Sequence, residues 1–218
     1  MMTDPCSFLQ ELTSRFPCLL PMTPEITAAG QVIGDALAAD QTLYLCGNGG
    51  SAADCEHIAG ELLKGFLVPR RLPASDRERL VAAAGVADGD YLAAKLQGAL
   101  RAVALTGHPA LATAVGNDTG GDLVFAQQVW GLGRPGDVLL AISTSGNARN
   151  AVLAAKAALA REMTVIALTG NGGGALRSLA HVVLAVPERE TFRVQELHLP
   201  VYHCLCAMLE ARFFTDRQ

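Results

Sequence analysis

Hydrophobic residues follow two rhythms along this chain. Short, largely apolar runs at Leu43-Tyr44-Leu45-Cys46, 101–105, 137–143, 164–168 and 181–186 predict strands, and between them apolar positions recur at helical spacing over about 52–65, 121–132, 147–161 and 191–214. Strands that are apolar on both faces and separated by helices build a parallel sheet covered on both sides, which makes the class α/β. Two further helices precede the first strand. One spans 5–17, with Phe8, Leu9, Leu12 and Phe16 along one side and Pro17 at its end; the other spans 25–39, with Ile26, Val32, Ile33 and Leu37 on one face. This N-terminal arm, 1–40, has no strand of its own to cover and is a candidate for packing against another subunit.

One connection is long. Residues 66–100 hold Pro69, Arg70, Arg71 and Pro73, then Ser75 placed as an N-cap ahead of Leu80-Val81, and an acidic turn at Asp88-Gly89-Asp90, which together predict two short inserted helices. Elsewhere strands run into Gly- and Ser-rich turns: Gly47-Asn48-Gly49-Gly50-Ser51, Ser143-Thr144-Ser145-Gly146-Asn147, and Thr169-Gly170-Asn171 followed by Gly172-Gly173-Gly174. Turns at the carboxyl ends of parallel strands should converge on one crevice. Hydroxyls beside the unpaired N–H groups of a helix start suit an anion such as a phosphate.

At 218 residues the chain is long enough for one well-cored domain with a helical arm, and we read 1–218 as a single domain. Half its residues are hydrophobic and only 17% charged, a balance that points to a surface partly covered by partner subunits. The net charge of −4 and the sparse Lys and Arg exclude nucleic-acid binding through a basic face. Met1 to Pro5 shows no basic segment leading into an apolar one, and no run suffices to cross a bilayer, so a cytoplasmic location without membrane contact is expected. The six cysteines, Cys6, Cys18, Cys46, Cys55, Cys204 and Cys206, are then reduced thiols without zinc-finger spacing, and the last two read as packing residues.

The residues able to do proton chemistry cluster in two helices. His57 and Glu61 stand four apart, stacked on one face of helix 52–65, close enough to share a metal ion or a substrate. The final helix carries Gln195, Glu196, His198 and His203, with Pro200 between them. In a straight helix eight residues set Gln195 and His203 about 12 Å apart, a distance that a proline kink would help to close.

These motifs, in this order, resemble a known family. The turns 47–51 and 143–147, the helix His57-Ile58-Ala59-Gly60-Glu61, Gly116-Asn117-Asp118 and Gln195-Glu196-Leu197-His198-Leu199-Pro200-Val201-Tyr202-His203 look like a sugar isomerase (SIS) domain of the phosphoheptose isomerase type, over about residues 25–213. The resemblance implies a flavodoxin-like three-layer sandwich with a five-stranded parallel sheet, a homotetramer, and sites built at subunit interfaces. It implies interconversion of sedoheptulose 7-phosphate and D-glycero-D-manno-heptose 7-phosphate, with Glu61 and His203 as the acid–base pair. Asn48, Gly49, Gly50, Ser51, Ser143, Thr144 and Ser145 would hold the phosphate, with Asn117, Asp118 and Gln195 also facing the substrate. In some members a zinc ion sits at the positions of His57, Glu61, Gln195 and His203. A carboxylate and an imidazole suit the two proton transfers of an aldose–ketose exchange through an enediol.

The chain departs from the pattern where an arginine, a serine and an acidic residue are expected and Gly65, Ala148 and Phe192 stand. Lys64, Arg70 and Arg71 are the nearest replacement cations, and the connector 66–100 is a candidate for closing over the sugar. A second reading is a non-catalytic SIS protein that binds a sugar phosphate or a protein partner, as the replication-initiator-associating relatives do; a third is an etherase or other lyase acting on a phosphorylated amino sugar.

Overall fold

The computed structural model describes residues 5–214; the reading of Met1 to Asp4 lies outside them. Its five strands, β1 (Leu43–Cys46), β2 (Ala102–Ala104), β3 (Val138–Ser143), β4 (Thr164–Thr169) and β5 (Val182–Ala185), pair in parallel in the order β2-β1-β3-β4-β5. That is the flavodoxin-like order, whose switch point lies between β1 and β3. Register follows from burial: every residue of β1 and β3 is buried, and alternate side chains feed two separate cores. Leu43, Leu45, Leu140 and Ile142 meet one helical layer, while Tyr44, Cys46, Leu139 and Ala141 meet the other.

The first layer contains α1 (Pro5–Arg15), α2 (Thr23–Ala38), α3 (Gly50–Leu63) and α8 (Thr191–Phe214). The second is formed by α6 (Val124–Leu132) and α7 (Arg149–Ala160), where Ala151, Ala154, Ala155 and Ala158 let α7 lie close on the strands. Ile26, Ala29 and Ile33 bury α2 in the first core beside β1 and β5. The N-terminal arm therefore does cover the sheet, contrary to the expectation from its position in the chain. The Pro-punctuated link is itself a 3-10 turn, Pro17–Met22, and α8 continues through Pro200 as one helix. A short helix not foreseen in the sequence, α5 (Pro109–Val115), precedes a π-helical turn, Gly116–Gly120.

The connector holds α4 (Ala74–Lys95), broken at Gly85, whose φ of 80° reverses the chain. The two predicted helices are present as segments 74–84 and 86–95 folded on each other, with Gly89 lying tight against Val81 and Arg77 paired to Asp90 at 2.5 Å. The reversal falls at Gly85 and not at the acidic 88–90, because a positive φ suits a residue without a Cβ. Pro73, not Ser75, precedes the helix, and no side chain caps it. Below α4 the stem is closed by an Arg71–Gln97 bridge and by the Gly98 N–H on the Arg70 carbonyl at 2.7 Å.

Candidate active site

The carboxyl ends of β1, β3 and β4 carry the three glycine-rich turns, and hydrogen bonds tie these to one another. Asn48 and Asn150 exchange amide hydrogen bonds of 2.8 Å across the switch point. The Gly170 N–H donates to Thr144 O at 2.9 Å, Leu176 N–H to Gly146 O at 3.0 Å and Ala175 N–H to the Asn147 side chain at 2.9 Å. At Gly146, with φ of 66°, a Cβ would overlap the Gly173 carbonyl, so only glycine allows this approach. The convergence expected from the sequence is present.

Within the β3 turn, N–H groups expected to be open are shared internally. Asn147 N–H donates to Ser145 Oγ at 3.2 Å and Ala148 N–H to Ser143 Oγ at 3.4 Å. Each hydroxyl used as an acceptor keeps its own hydrogen for an anion. Ser145, Asn48, Gly49 and Gly50 are exposed, Thr144 is half-buried, and Ser51 and Ser143 are nearly closed off at 3% and 5% exposure. Asn117 donates to Asp118 at 2.8 Å on the π-helical turn, where both are exposed; among the described residues no hydrogen bond links them to the other turns.

The residues expected to act as acid and base, Glu61 and His203, lie between α3 and α8 on either side of His57. His57 Nε2 lies 3.2 Å from Glu61 Oε1, and the Lys64 ammonium donates to Glu61 Oε2 at 3.3 Å. The rings of His57 and His203 meet edge to face with centroids 5.0 Å apart. His203 Nε2 is buried without a hydrogen-bond partner, and its pKa is lowered first by burial and then by the neighbouring His57, with Glu61 opposing. Tyr202 OH lies 3.0 Å from His57 Nδ1 and fixes that ring from behind. Asp54, whose carboxyl is pushed up by burial, stands on the same side of α3 and interacts with Tyr202. Neither Asp54 nor Tyr202 was singled out in the sequence, although Asp54 lies one turn before His57. Beyond His203 an apolar groove of about 270 Å³ opens between α1 and α8, lined by Phe8, Leu12, Phe16, Phe66 and Leu199.

Gln195 does not join this cluster. Its amide packs on Gly50, where a Cβ would collide with it, at the opposite end of α3. The four residues that the resemblance assigns to zinc are thus divided, Lys64 already pairs with Glu61, and no group of three or more His, Cys, Asp or Glu poised for a metal occurs among the described residues. The donor types suit zinc, but the placement does not present them as one shell.

The departures from the family pattern have local causes. Gly65 N–H donates to Gln97 Oε1 at 2.7 Å, and a side chain at 65 would run into Gln97 and the Val68 carbonyl. Ala148 packs on the α6–α7 core, and Phe192 is exposed beneath the Arg193 guanidinium. Arg70, considered as a substrate cation, is buried and paired to Glu210 at 2.8 Å; Arg71 is exposed. Burial drives the Cys46 and Cys204 thiols up to about 12 and Cys206 higher still, as packing residues require.

Comparison with known proteins agrees with this geometry. The SIS domain matches residues 18–75 and 91–170, leaving out most of α4. The chain belongs to the SIS domain family. Among SIS proteins it is 36% identical over 203 residues to a phosphoheptose isomerase of Akkermansia muciniphila, covering 93% of each chain. Solved phosphoheptose isomerases of Neisseria gonorrhoeae and Francisella tularensis superpose with TM-scores of 0.70 and 0.72 at 35% and 31% identity, over 94% of this chain and 92% and 95% of theirs. This SIS chain is accordingly an isomerase by relationship, with an α/β sandwich of the same kind. No helix among the described residues is long and apolar enough to cross a membrane.

Proposed function

We propose that the protein is a sugar-phosphate aldose–ketose isomerase acting on sedoheptulose 7-phosphate to give D-glycero-D-manno-heptose 7-phosphate. The observation that carries this reading is the cluster at the interface of α3 and α8 in which His57 lies between Glu61, 3.2 Å from its Nε2, and His203, whose Nε2 is unpartnered. Glu61 takes the carbon-bound proton and His203, neutral through its lowered pKa, serves the sugar oxygens as the enediol forms. His57 and Lys64, each in contact with one oxygen of the Glu61 carboxylate, orient it. The turns at 47–51 and 143–147 take the phosphate, with Asn117, Asp118 and Gln195 as sugar contacts. Binding energy gained there is spent on orienting the reacting carbons.

Ser51 and Glu61 are ten residues apart on α3, about 15 Å along its axis. Such a span favours a site completed by a second copy, and we take the working unit to be a cytoplasmic homotetramer, each chain a single SIS domain with the arm 1–40 and the insert 66–100. For zinc to be held by His57, Glu61, Gln195 and His203, Lys64 would have to release Glu61 and Gln195 would have to leave Gly50, and the proton transfers assigned to Glu61 and His203 do not depend on it.

The test is direct. Incubating the pure protein with C5 to C7 sugar phosphates in heavy water should give aldose–ketose exchange, with deuterium entering at the carbon next to the carbonyl, fastest on the seven-carbon ketose. Binding without exchange on any of them would instead support the non-catalytic reading.

A further inference from the structure

The largest fully buried polar side chain outside the catalytic cluster is Arg70, and its partners lie around the end of α3. Its Nε donates to Glu210 Oε1 at 2.8 Å, Nη1 to the Leu62 carbonyl at 2.7 Å and Nη2 to the Glu61 carbonyl at 2.9 Å. The two side chains are 0% and 2% exposed, and the guanidinium carbon stacks 4.5 Å from the Phe214 ring centre. Glu210 is shared in turn: Oε1 accepts Phe66 N–H at 2.8 Å, and Oε2 accepts Leu67 and Val68 N–H at 2.6 and 3.2 Å.

Two of these bonds fall on carbonyls for which the helix end supplies no partner of its own; the Glu61 carbonyl takes Nη2, and the Leu62 carbonyl takes Nη1 together with the Leu100 N–H at 2.9 Å. The chain turns out of α3 at Lys64, with φ −138° and ψ 175°, so Glu61 stands in the last turn, where helices fray. A planar fork of fixed donors can hold both carbonyls and Glu210 at once; a lysine ammonium supplies one mobile point charge. We propose that Arg70 is a positioning residue for catalysis: fixed by Glu210, its guanidinium clamps the carboxyl end of α3 and thereby holds the Glu61 carboxylate against His57 and His203. Arg70 does this from below the helix without touching substrate. The proposal rests on the isomerase reading, in which a misplacement of the base by about 1 Å costs up to 100-fold.

The test compares wild type with Arg70→Lys, checked for folding by circular dichroism and thermal melting. The expected result is a kcat at least ten-fold lower with KM within two-fold, because the phosphate turns are untouched, together with faster amide hydrogen exchange over residues 61–68. A folded Arg70→Lys protein with wild-type kcat and protection would overturn the proposal. Should Arg70→Lys fail to fold, the near-isosteric Glu210→Gln, which loosens the guanidinium, is expected to show the same kcat loss at constant KM, and unchanged kcat overturns the clamp there. A wild-type protein inactive on every sugar phosphate would defeat the isomerase reading instead, and the clamp would then be judged by hydrogen exchange alone.

Discussion

Replacing Glu61 by Gln keeps the size of the side chain and its place one turn from His57 but removes the base. Isomerisation is expected to fall at least about 100-fold with the melting temperature and phosphate affinity kept, which steady-state kinetics and inorganic phosphate titration will show. His198 carries a different expectation. It is wholly buried between α8 and the Thr169 backbone, and its pKa is lowered to about 4, mainly by burial. The unfolded chain binds a proton there near 6.5 and the native chain only near 4, so its contribution is intact above 6.5 and lost as pH falls, by about 3 kcal/mol at pH 4. Urea unfolding across that range should show the decline, and His198→Phe should flatten it. If zinc takes part in the reaction, exhaustive chelation will abolish exchange and elemental analysis will find about one ion per chain; full activity after chelation excludes that role. The His57–Glu61 pair was legible in the sequence because spacing of four fixes a shared helix face. The Arg70–Glu210 pair was not, since 140 residues separate its members and an arginine between prolines reads equally well as a solvated loop.

Among the elements, α4 stands apart: of its residues only Gly89 is buried, and Val86 and Tyr91 are 67% and 64% exposed. Joining Pro73 to Leu96 by a short Gly/Ser link removes it while leaving the Arg71–Gln97 stem and Arg70 in place. The shortened protein should fold and show a raised KM or altered sugar preference by the same exchange assay; dissociation with unaltered kinetics would make α4 a subunit contact. The strands and most helices could be read from the chain because their periodicities are local. What α2 covers was not readable, because its apolar face is indifferent to whether its target is the chain's own sheet or a neighbour's. The π-helical turn after α5 likewise has no signature in composition, and Asn117 and Asp118 were placed by resemblance alone.

For the whole molecule, the proposed assembly rests on the apolar groove between α1 and α8 and on the ~15 Å between phosphate turn and base. Sedimentation equilibrium at micromolar concentration should give a tetramer, and Phe8→Asp with Leu199→Asp, both lining that groove, should break it down and lower kcat per chain; a monomeric wild type excludes the shared site. The family match left out most of α4, which suits a body whose sheet closes without it. The interlocked turns bear on how such a protein can diverge. Because any side chain at Gly146 would displace the Gly173 carbonyl, and Gly174 in turn abuts Ser145 and Gly146, the β3 and β4 turns form one mutational unit that can change only by simultaneous substitution. Variation is thereby channelled away from the switch point and toward α4, where of residues 74–95 only Gly89 is buried and length can drift without touching the sheet.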